Sequence, residues 1–268
     1  MRGLLLATFL CVANCATAVE VDVGGETLVI PTPVGFVEAG SLSAEALALA
    51  EQLTPPMNRL LAFFVSADDA DRLKKGEAAT WRRYMMVQAE RQSEGLRIAP
   101  DDFFELRGVL TAQQKTLQAT VLKKAETVIE NLSNNIDTEL KIGESVSLGI
   151  FSEDQAHISI AGLARYQTSN KKPAVSYVVA NAANVLHPAN KIVFAYVYSG
   201  FDSRDDLDWV EATSVSWSRS ILAANAKSTS GGVIDWARAG SKAIWGGIVG
   251  AVMTIAFFLF RQWRRKTA

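Results

Sequence analysis

The sequence predicts an α+β fold in which helices cover an antiparallel sheet, followed by a single C-terminal transmembrane helix. Three observations lead to this prediction: apolar segments at both ends of the chain, alternating strand patterns in its second half, and an amphipathic helix pattern after those strands. A hydrophobic share of 49% and a net charge of −1 exclude intrinsic disorder for most of the 268 residues. A chain of this length can bury a sizeable core.

Residues 1–18 have the pattern of a cleaved secretory signal peptide. Arg2 precedes the apolar stretch Leu4 to Ala13, and Ala16-Thr17-Ala18 supplies the small side chains that a signal peptidase accepts. A lipoprotein signal with Cys15 as the lipidated residue is an alternative. An uncleaved anchor is disfavoured, because an apolar stretch of about ten residues is shorter than the roughly twenty needed to cross a bilayer.

Both cysteines, Cys11 and Cys15, lie inside this segment, so the mature chain is expected to contain none. This excludes disulfides, thiol catalysis and thiolate metal sites, and a cysteine-free exported domain favours a bacterial periplasm. From Val19 to Lys242 all 28 acidic residues remain while five of the 27 basic ones are lost, which leaves a net charge of −6. This acidic balance argues against nucleic acid as a partner.

The stretch Ala243 to Phe260 contains no charged residue and is predicted to cross a membrane as one helix. Trp245 and Trp263 flank it, as expected of residues at the two membrane interfaces. A basic cluster follows it directly: Arg261, Arg264, Arg265 and Lys266. The positive-inside rule therefore places the tail, residues 261–268, in the cytoplasm and the N-terminal domain in the periplasm.

Small residues line one face of this predicted span. Gly246 and Gly250 form a G-x-x-x-G pair, and Gly247 with Ala251 repeats the spacing one residue along. Such a face allows close packing of two helices, so we expect a homodimer through the membrane helix or pairing with another membrane protein. The alternative is that these are ordinary glycines of a membrane helix.

The exported domain spans residues 19–227 and is joined to the membrane by a linker and juxtamembrane segment, 228–242. Thr27 to Pro31 is predicted to form a short strand before a turn, and Leu42 to Leu53 an Ala/Leu/Glu-rich helix that ends before two prolines. Arg59 to Ser66 is continuously apolar, which favours a strand buried on both faces. Trp81 to Ala89 is predicted to be a neighbouring strand.

Helices and strands alternate in the rest of the domain. Pro100 suits the first turn of a helix that the apolar spacing extends to about Leu140. Four strands are then predicted: Ser145 to Phe151, His157 to Tyr166, Val175 to Ala180, and Lys191 to Tyr198. Ser203 and Asp206 approximate a capping box for a last helix. The stripe that should pack this helix on the sheet is Leu207, Val210, Ser214, Trp217, Ile221 and Ala224.

Two strand-to-helix junctions resemble each other within the chain. The strand ending at Ser66 is followed by Asp68, Asp69 and Asp71, and the strand ending at Ser199 is followed by Asp202, Asp205 and Asp206. Two related halves that share one sheet would explain this similarity, and so would chance.

Four short segments carry a resemblance to known proteins. Pro33-Val34-Gly35-Phe36, Leu148 to Phe151, Ile192 to Tyr198 and Asp206 to Trp209 are similar to segments of the exported PsbP-like and DcrB-like α/β domains. The resemblance implies a helix-covered antiparallel sheet used for binding or assembly rather than chemistry. The long helical region from Pro100 and the membrane anchor depart from that pattern, and no site residue carries over.

Motifs for chemistry are missing from the sequence. The two histidines, His157 and His187, fall at a strand start and before a proline, where structural roles are commonest. The acidic runs from Asp68 and from Asp202 lack calcium-loop spacing and suit helix starts, where acids offset the helix dipole. We therefore expect no catalytic residue, no metal site and no cofactor.

The segment Trp81-Arg82-Arg83-Tyr84 is the candidate binding patch, because arginine and aromatic residues are enriched at binding surfaces. If it is a strand, Arg82 and Tyr84 share one face, and Trp81 and Arg83 share the other. The alternative is an edge strand with one arginine paired to nearby acids.

These features together predict a membrane-tethered periplasmic module that binds or assembles with a protein partner and has no catalytic activity. The alternative is an envelope hydrolase or transferase that uses carboxylates at an unrecognised spacing. A shallow, exposed apolar patch would favour the binding module, and a deep pocket with convergent carboxylates and a histidine would favour the enzyme.

Overall fold

A computed structural model describes residues 17–112, 140–168 and 176–226 of the chain. The predicted signal peptide before Thr17, the linker, the transmembrane stretch and its basic tail lie outside the described residues. Among the described residues, no helix is both long enough and apolar enough to span a membrane. The predicted cleavage after Ala18 stays a prediction.

The described chain forms an antiparallel sheet with helices on both faces, which confirms the predicted α+β class. The strands are β1 (Ala18–Val23), β2 (Glu26–Pro31), β3 (Phe36–Glu38), β4 (Asn58–Ser66), β5 (Arg83–Glu90), β6 (Leu140–Glu153), β7 (His157–Thr168), β8 (Ser176–Leu186) and β9 (Val193–Gly200). The helices are α1 (Ala44–Leu53), α2 (Ala67–Lys74), α3 (100–112 within the described residues) and α4 (Arg204–Ala224), with a short 3₁₀ turn at Pro188–Asn190.

Seven strands make the main sheet, in the order β3-β4-β5-β9-β8-β7-β6, and every neighbouring pair is antiparallel. β1 and β2 form a separate hairpin. On one face, α1 and α3 pack against the aromatic side chains of β4, β5 and β9. On the other face, α4 and the hairpin pack together over the same strands. The inner strands β5 and β9 are therefore buried on both faces, which explains the apolar runs from Tyr84 to Val87 and from Val193 to Tyr198.

α4 has the predicted start and most of the predicted packing stripe. The carboxylate of Asp206 accepts a hydrogen bond from the backbone N–H of Ser203 at 3.3 Å, as a capping box requires. The buried residues of α4 include Leu207, Val210, Ser214, Trp217 and Ile221. Ala224 is exposed instead, because the helix ends there and the next residue, Asn225, is the buried one.

Two side chains of the last helical region tie it to β2. The indole N–H of Trp217 donates to the carbonyl of Pro31 at 2.8 Å, and its ring lies edge-on to Phe64 with centroids 5.6 Å apart. The side-chain amide of Asn225 accepts from the N–H of Val29 at 2.8 Å and donates to the Val29 carbonyl at 2.7 Å. Asn225 thus pairs with β2 as a strand would.

Several predicted boundaries differ from the observed ones. β1 was not predicted, because its first residue falls in the predicted signal peptide. Leu140 begins β6 rather than ending a helix, and β8 continues six residues past the predicted end at Ala180, to Leu186. Both junctions that resemble each other are confirmed as strand-to-helix steps, β4 into α2 and β9 into α4. Their helices lie on opposite faces of the sheet, since α2 packs with α1 and α3.

Replacing Trp217 with Ala is expected to lower the free energy of unfolding by about 3–5 kcal/mol, because the ring is buried against Phe64 and leaves a cavity when it is removed. Trp217→Phe keeps much of the packing and should cost less. Chemical denaturation of the full-length chain in detergent, followed by circular dichroism, measures both. A loss below ~1 kcal/mol for Trp217→Ala would show that α4 is not part of the core.

Candidate functional site

The predicted binding patch divides between the core and the surface. Trp81 is buried and its ring stacks on Phe63 with centroids 6.0 Å apart, while Tyr84 stacks on Tyr198 at 4.7 Å. The aromatic half of the patch therefore belongs to the core under α1 and α3. Only the two arginines reach the surface.

The predicted arrangement of the patch on a strand is wrong. β5 begins at Arg83, and Trp81 has a left-handed backbone with φ of 55°, so the alternation of side chains does not extend back to it. Trp81 consequently shares a core face with Tyr84, and not with Arg83. β5 also lies between β4 and β9, so the alternative of an edge strand is wrong, whereas its pairing of an arginine with nearby acids is confirmed.

The carboxylate of Asp69 on α2 explains the backbone of Trp81. It accepts hydrogen bonds from the N–H of Thr80 at 2.5 Å, the hydroxyl of Thr80 at 2.9 Å and the N–H of Trp81 at 3.0 Å. Asp69 is fully buried, so these bonds satisfy a charge that would otherwise be costly. One of the acids predicted to start a helix therefore also shapes the segment before β5.

Both arginines of the patch reach the acids at the start of α4. Arg82 contacts Asp202 at 2.6 Å and Asp206 at 3.2 Å, and Arg83 contacts Asp206 at 3.4 Å. Burial alone raises the pKa of Asp206. Hydrogen bonds from the N–H groups of Asp202 and Ser203 and the positive charge of Arg82 outweigh burial and hold that pKa below its ordinary value.

Aromatic groups extend this surface beyond the arginines. The guanidinium carbon of Arg83 lies 4.2 Å from the centroid of the Trp209 ring, a cation–π contact. Phe36 stacks on the same ring with centroids 6.1 Å apart. Val34, in the turn just before Phe36, is 100% exposed. We name Val34, Phe36, Arg82, Arg83 and Trp209 the arginine–tryptophan surface.

At the opposite end of the sheet, a buried lysine joins three loops. Lys191 is 1% exposed, and its ammonium donates to the carbonyls of Gly24 (3.1 Å), Glu94 (2.8 Å) and Leu96 (3.1 Å). Burial lowers its pKa below the ordinary value, and the negative charge of Glu26 acts in the opposite direction. Three carbonyl acceptors match the three donors of an ammonium group.

The loops meet closely around this ammonium. Gly24 has a φ of 56°, and a Cβ at this position would overlap the backbone of Glu94, so only glycine fits. Arg59 holds both carboxylate oxygens of Glu94 at 2.9 Å and donates to the carbonyl of Asp22 at 2.6 Å. The β1–β2 turn and the loop after β5 are therefore fixed against each other.

A cleft of about 280 Å³ opens beside this lysine. Its lining includes Glu26, Arg97, Ala189, Asn190 and Asn225, and we name it the Asn190 cleft. Arg97 and Glu26 form an ion pair at 3.2 Å. Sequence analysis missed these residues, because they lie far apart in the chain and belong to no motif. The strand from Thr27, the turn at His187-Pro188 and the last helix were predicted nearby, but nothing in the sequence indicated that they meet at a cleft.

His187 contacts the loop before α3, next to the same region. Its Nε2 lies 2.8 Å from the carbonyl of Ile98, and its ring stacks on Phe103 of α3 with centroids 4.9 Å apart. Burial lowers the pKa of His187 below its ordinary value of 6.5, against the opposing effects of the Ile98 carbonyl and Asp102. The neutral ring therefore fits here best.

His157 lies in a short polar relay at the β6–β7 turn. Its Nε2 is 2.9 Å from the hydroxyl of Ser152, and its Nδ1 is 2.8 Å from the carboxylate of Asp154. Asp154 also accepts from the backbone N–H groups of Ala156 and His157, at 2.8 Å and 3.0 Å. The order serine, histidine, aspartate matches a hydrolase triad, but the geometry at His157 Nδ1 is not that of a hydrogen bond, and the backbone bonds of Asp154 are those of a turn.

Within the described ranges no group of histidine, cysteine and acidic side chains could hold a metal ion. The acidic runs at the starts of α2 and α4 instead bind backbone N–H groups and arginines.

No family model matches the chain. No curated protein matches it either. Among solved structures it is similar to the Ran-binding protein Mog1p of Saccharomyces cerevisiae, at 14% identity and a TM-score of 0.26, over 78% of this chain and 90% of that one. The resemblance to PsbP-like and DcrB-like domains stays a prediction.

Acidification is expected to destabilise the fold through His187. The pKa of His187 is lower in the folded chain than in the unfolded chain, so the unfolded chain takes up the proton first as the pH falls. The contribution of His187 to the free energy of unfolding is therefore complete above pH ~6.5 and is lost as the pH drops through the folded-state pKa. Urea unfolding of the full-length chain between pH ~7 and ~5 measures this loss. His187→Gln can still donate to Ile98 and should flatten the profile. If the free energy of unfolding changed with pH in the same way in the unaltered chain and in His187→Gln, the loss could not be assigned to His187.

Proposed function

We propose that this chain is a membrane-tethered periplasmic module that binds a protein partner through the arginine–tryptophan surface. The observation that supports this proposal is the contact of Trp209 with both Arg83 and Phe36 beside the fully exposed Val34. Tryptophan and arginine are among the residues most enriched at the energetic centres of protein interfaces. An exposed apolar turn next to them supplies area that a partner can bury.

The charges around this surface indicate the chemistry of the partner. The arginines are already paired, Arg82 with Asp202 and Asp206, and Asp205 at the start of α4 is exposed. The exported segment is acidic overall. A partner with an apolar or aromatic centre and basic residues around it would therefore complement the surface.

The membrane tether is part of the same proposal. The uncharged stretch Ala243 to Phe260 and the basic residues after it favour a single-pass bacterial inner-membrane protein with a cytoplasmic tail. The glycine-rich linker is short, so the partner would bind near the periplasmic side of the membrane. The small residues from Gly246 to Ala251 would allow dimers of the full-length chain.

Site-specific photo-crosslinking in intact membranes tests the binding surface. A crosslinking residue in place of Val34 should give a discrete adduct, and Trp209→Leu in the same chain should reduce its yield several-fold. The same crosslinker in place of the exposed Gln92, at the opposite end of the sheet, is the matched control and should give no such adduct. No adduct at Val34, or equal adducts at both positions, would contradict the proposal.

The proximity of Ser152, His157 and Asp154 favours a hydrolase as the second candidate. Its nucleophile would be the hydroxyl of Ser152, whereas the alternative drawn from the sequence used carboxylates. A fluorophosphonate probe incubated with the full-length chain separates the two candidates. The binding proposal predicts no label above that of a Ser152→Ala variant. Stoichiometric labelling of Ser152 would select the hydrolase.

A further inference from the structure

The Asn190 cleft lies at the end of the sheet opposite the arginine–tryptophan surface, and the proposed protein binding does not use it. It opens between the β1–β2 hairpin, the loop before α3, the Pro188–Asn190 turn and the end of α4. These segments are held in place from within by the ammonium of Lys191 and by the side chain of Asn225. The walls of the cleft are therefore built into the fold.

Asn190 lines this cleft, and its side chain contains a buried polar atom without a partner. Asn190 is 6% exposed, and its Oδ1 has no hydrogen-bond partner among the residues that the structure describes. Its backbone is left-handed, with a φ of 62°, and its carbonyl accepts from the N–H of Ile98 at 2.9 Å. A buried acceptor that makes no hydrogen bond is costly, so a turn of the Asn190 side chain into the cleft, where a ligand could donate to this oxygen, would be favourable.

Charged groups of both signs stand at the same cleft. The carboxylate of Glu26 and the guanidinium of Arg97 are 3.2 Å apart, and their side chains are 36% and 49% exposed. Both can turn toward a ligand because neither is fixed by full burial. The end of α4 at Ala224 and Asn225 adds the negative pole of a helix dipole.

We propose that the Asn190 cleft binds a small zwitterion of the amino acid or dipeptide class. The ligand's ammonium group would donate to Asn190 Oδ1 and to Glu26, and its carboxylate would accept from Arg97 in the paired geometry that guanidinium groups favour. Val29, Ala189 and Ala224 provide an apolar wall for an aliphatic side chain. A volume of about 280 Å³ suits a ligand of this size.

The charge pattern disfavours ligands with a single charge. A simple anion would meet the acceptor oxygen of Asn190 and the carboxylate of Glu26, and a simple cation would meet Arg97. A zwitterion satisfies the two charged side chains at once and supplies the donor that Asn190 lacks.

Isothermal titration of the full-length chain in detergent tests this site with defined probes. L-Leucine and glycyl-L-leucine carry both charges, isopentylamine lacks the carboxylate, and 4-methylpentanoate lacks the ammonium group. At least one zwitterion should bind, and both singly charged compounds should bind at least ~10-fold more weakly than it does.

Variants at the cleft identify the groups responsible. Asn190→Gly tolerates the left-handed backbone and removes the amide, so it should abolish binding of the zwitterion, whereas Asn190→Asp keeps an acceptor and should retain it. Arg97→Gln should weaken the zwitterion but not isopentylamine, which should bind as well or better once the positive charge of Arg97 is gone. Arg204→Gln, an exposed arginine at the far end of the molecule, is the matched control and should change nothing.

Several results would overturn the proposal. One is the absence of binding heat for both zwitterions up to ~10 mM. Others are equal binding of 4-methylpentanoate, or full affinity in Asn190→Gly with an unchanged melting temperature. None of these results bears on crosslinking at Val34, so the two proposals fail independently.

Discussion

The buried ammonium of Lys191 is the interaction on which one end of this molecule depends. It joins the β1–β2 turn, the loop after β5 and the turn before β9 through three backbone carbonyls, with no carboxylate in direct contact among the described residues. A buried charge is tolerated only where such donors and acceptors are matched. The close approach of Gly24 to Glu94, the pairing of Arg59 with Glu94 and the shape of the Asn190 cleft all require these loops to stay together.

The sheet explains why candidate sites lie at its two ends. Its inner strands, β5 and β9, are buried on both faces, by α1 and α3 on one side and by α4 with the hairpin on the other. Polar and charged side chains are therefore found where the strands begin and end. At one end Asp206 receives Arg82 and Arg83, and at the other Lys191 stands beside Arg97 and Glu26.

Sequence patterns predicted those strands and helices whose burial is recorded in their own residues. The continuous apolar run of β4 and the spacing from Leu207 to Ile221 on α4 were sufficient. Burial on two faces leaves an uninterrupted apolar run in the sequence, and burial on one face leaves a period. The face of Trp81 was mispredicted because its backbone is set by Asp69, twelve residues earlier and on another element. Neither propensity nor spacing contains that information.

The Asn190 cleft was not predictable for the same reason. Glu26, Arg97 and Asn190 come together only through the packing of three loops, and none of them stands in a motif. Gly24 lets the β1–β2 turn approach the backbone of Glu94, and nothing in the sequence around it indicates this contact. Lys191 was predicted to begin a strand that starts at Val193 instead, and nothing in the sequence indicated that its side chain would be buried.

Hydrogen exchange in a Lys191→Met variant tests this account most directly, because methionine fills a similar volume but cannot donate to the three carbonyls. The amide of Ile98, which donates to Asn190, should exchange at least ~10-fold faster relative to the amides in the middle of β9, since the loops lose their common partner. An unchanged ratio of these rates would show that the loops hold together without the ammonium and would contradict the central role of Lys191.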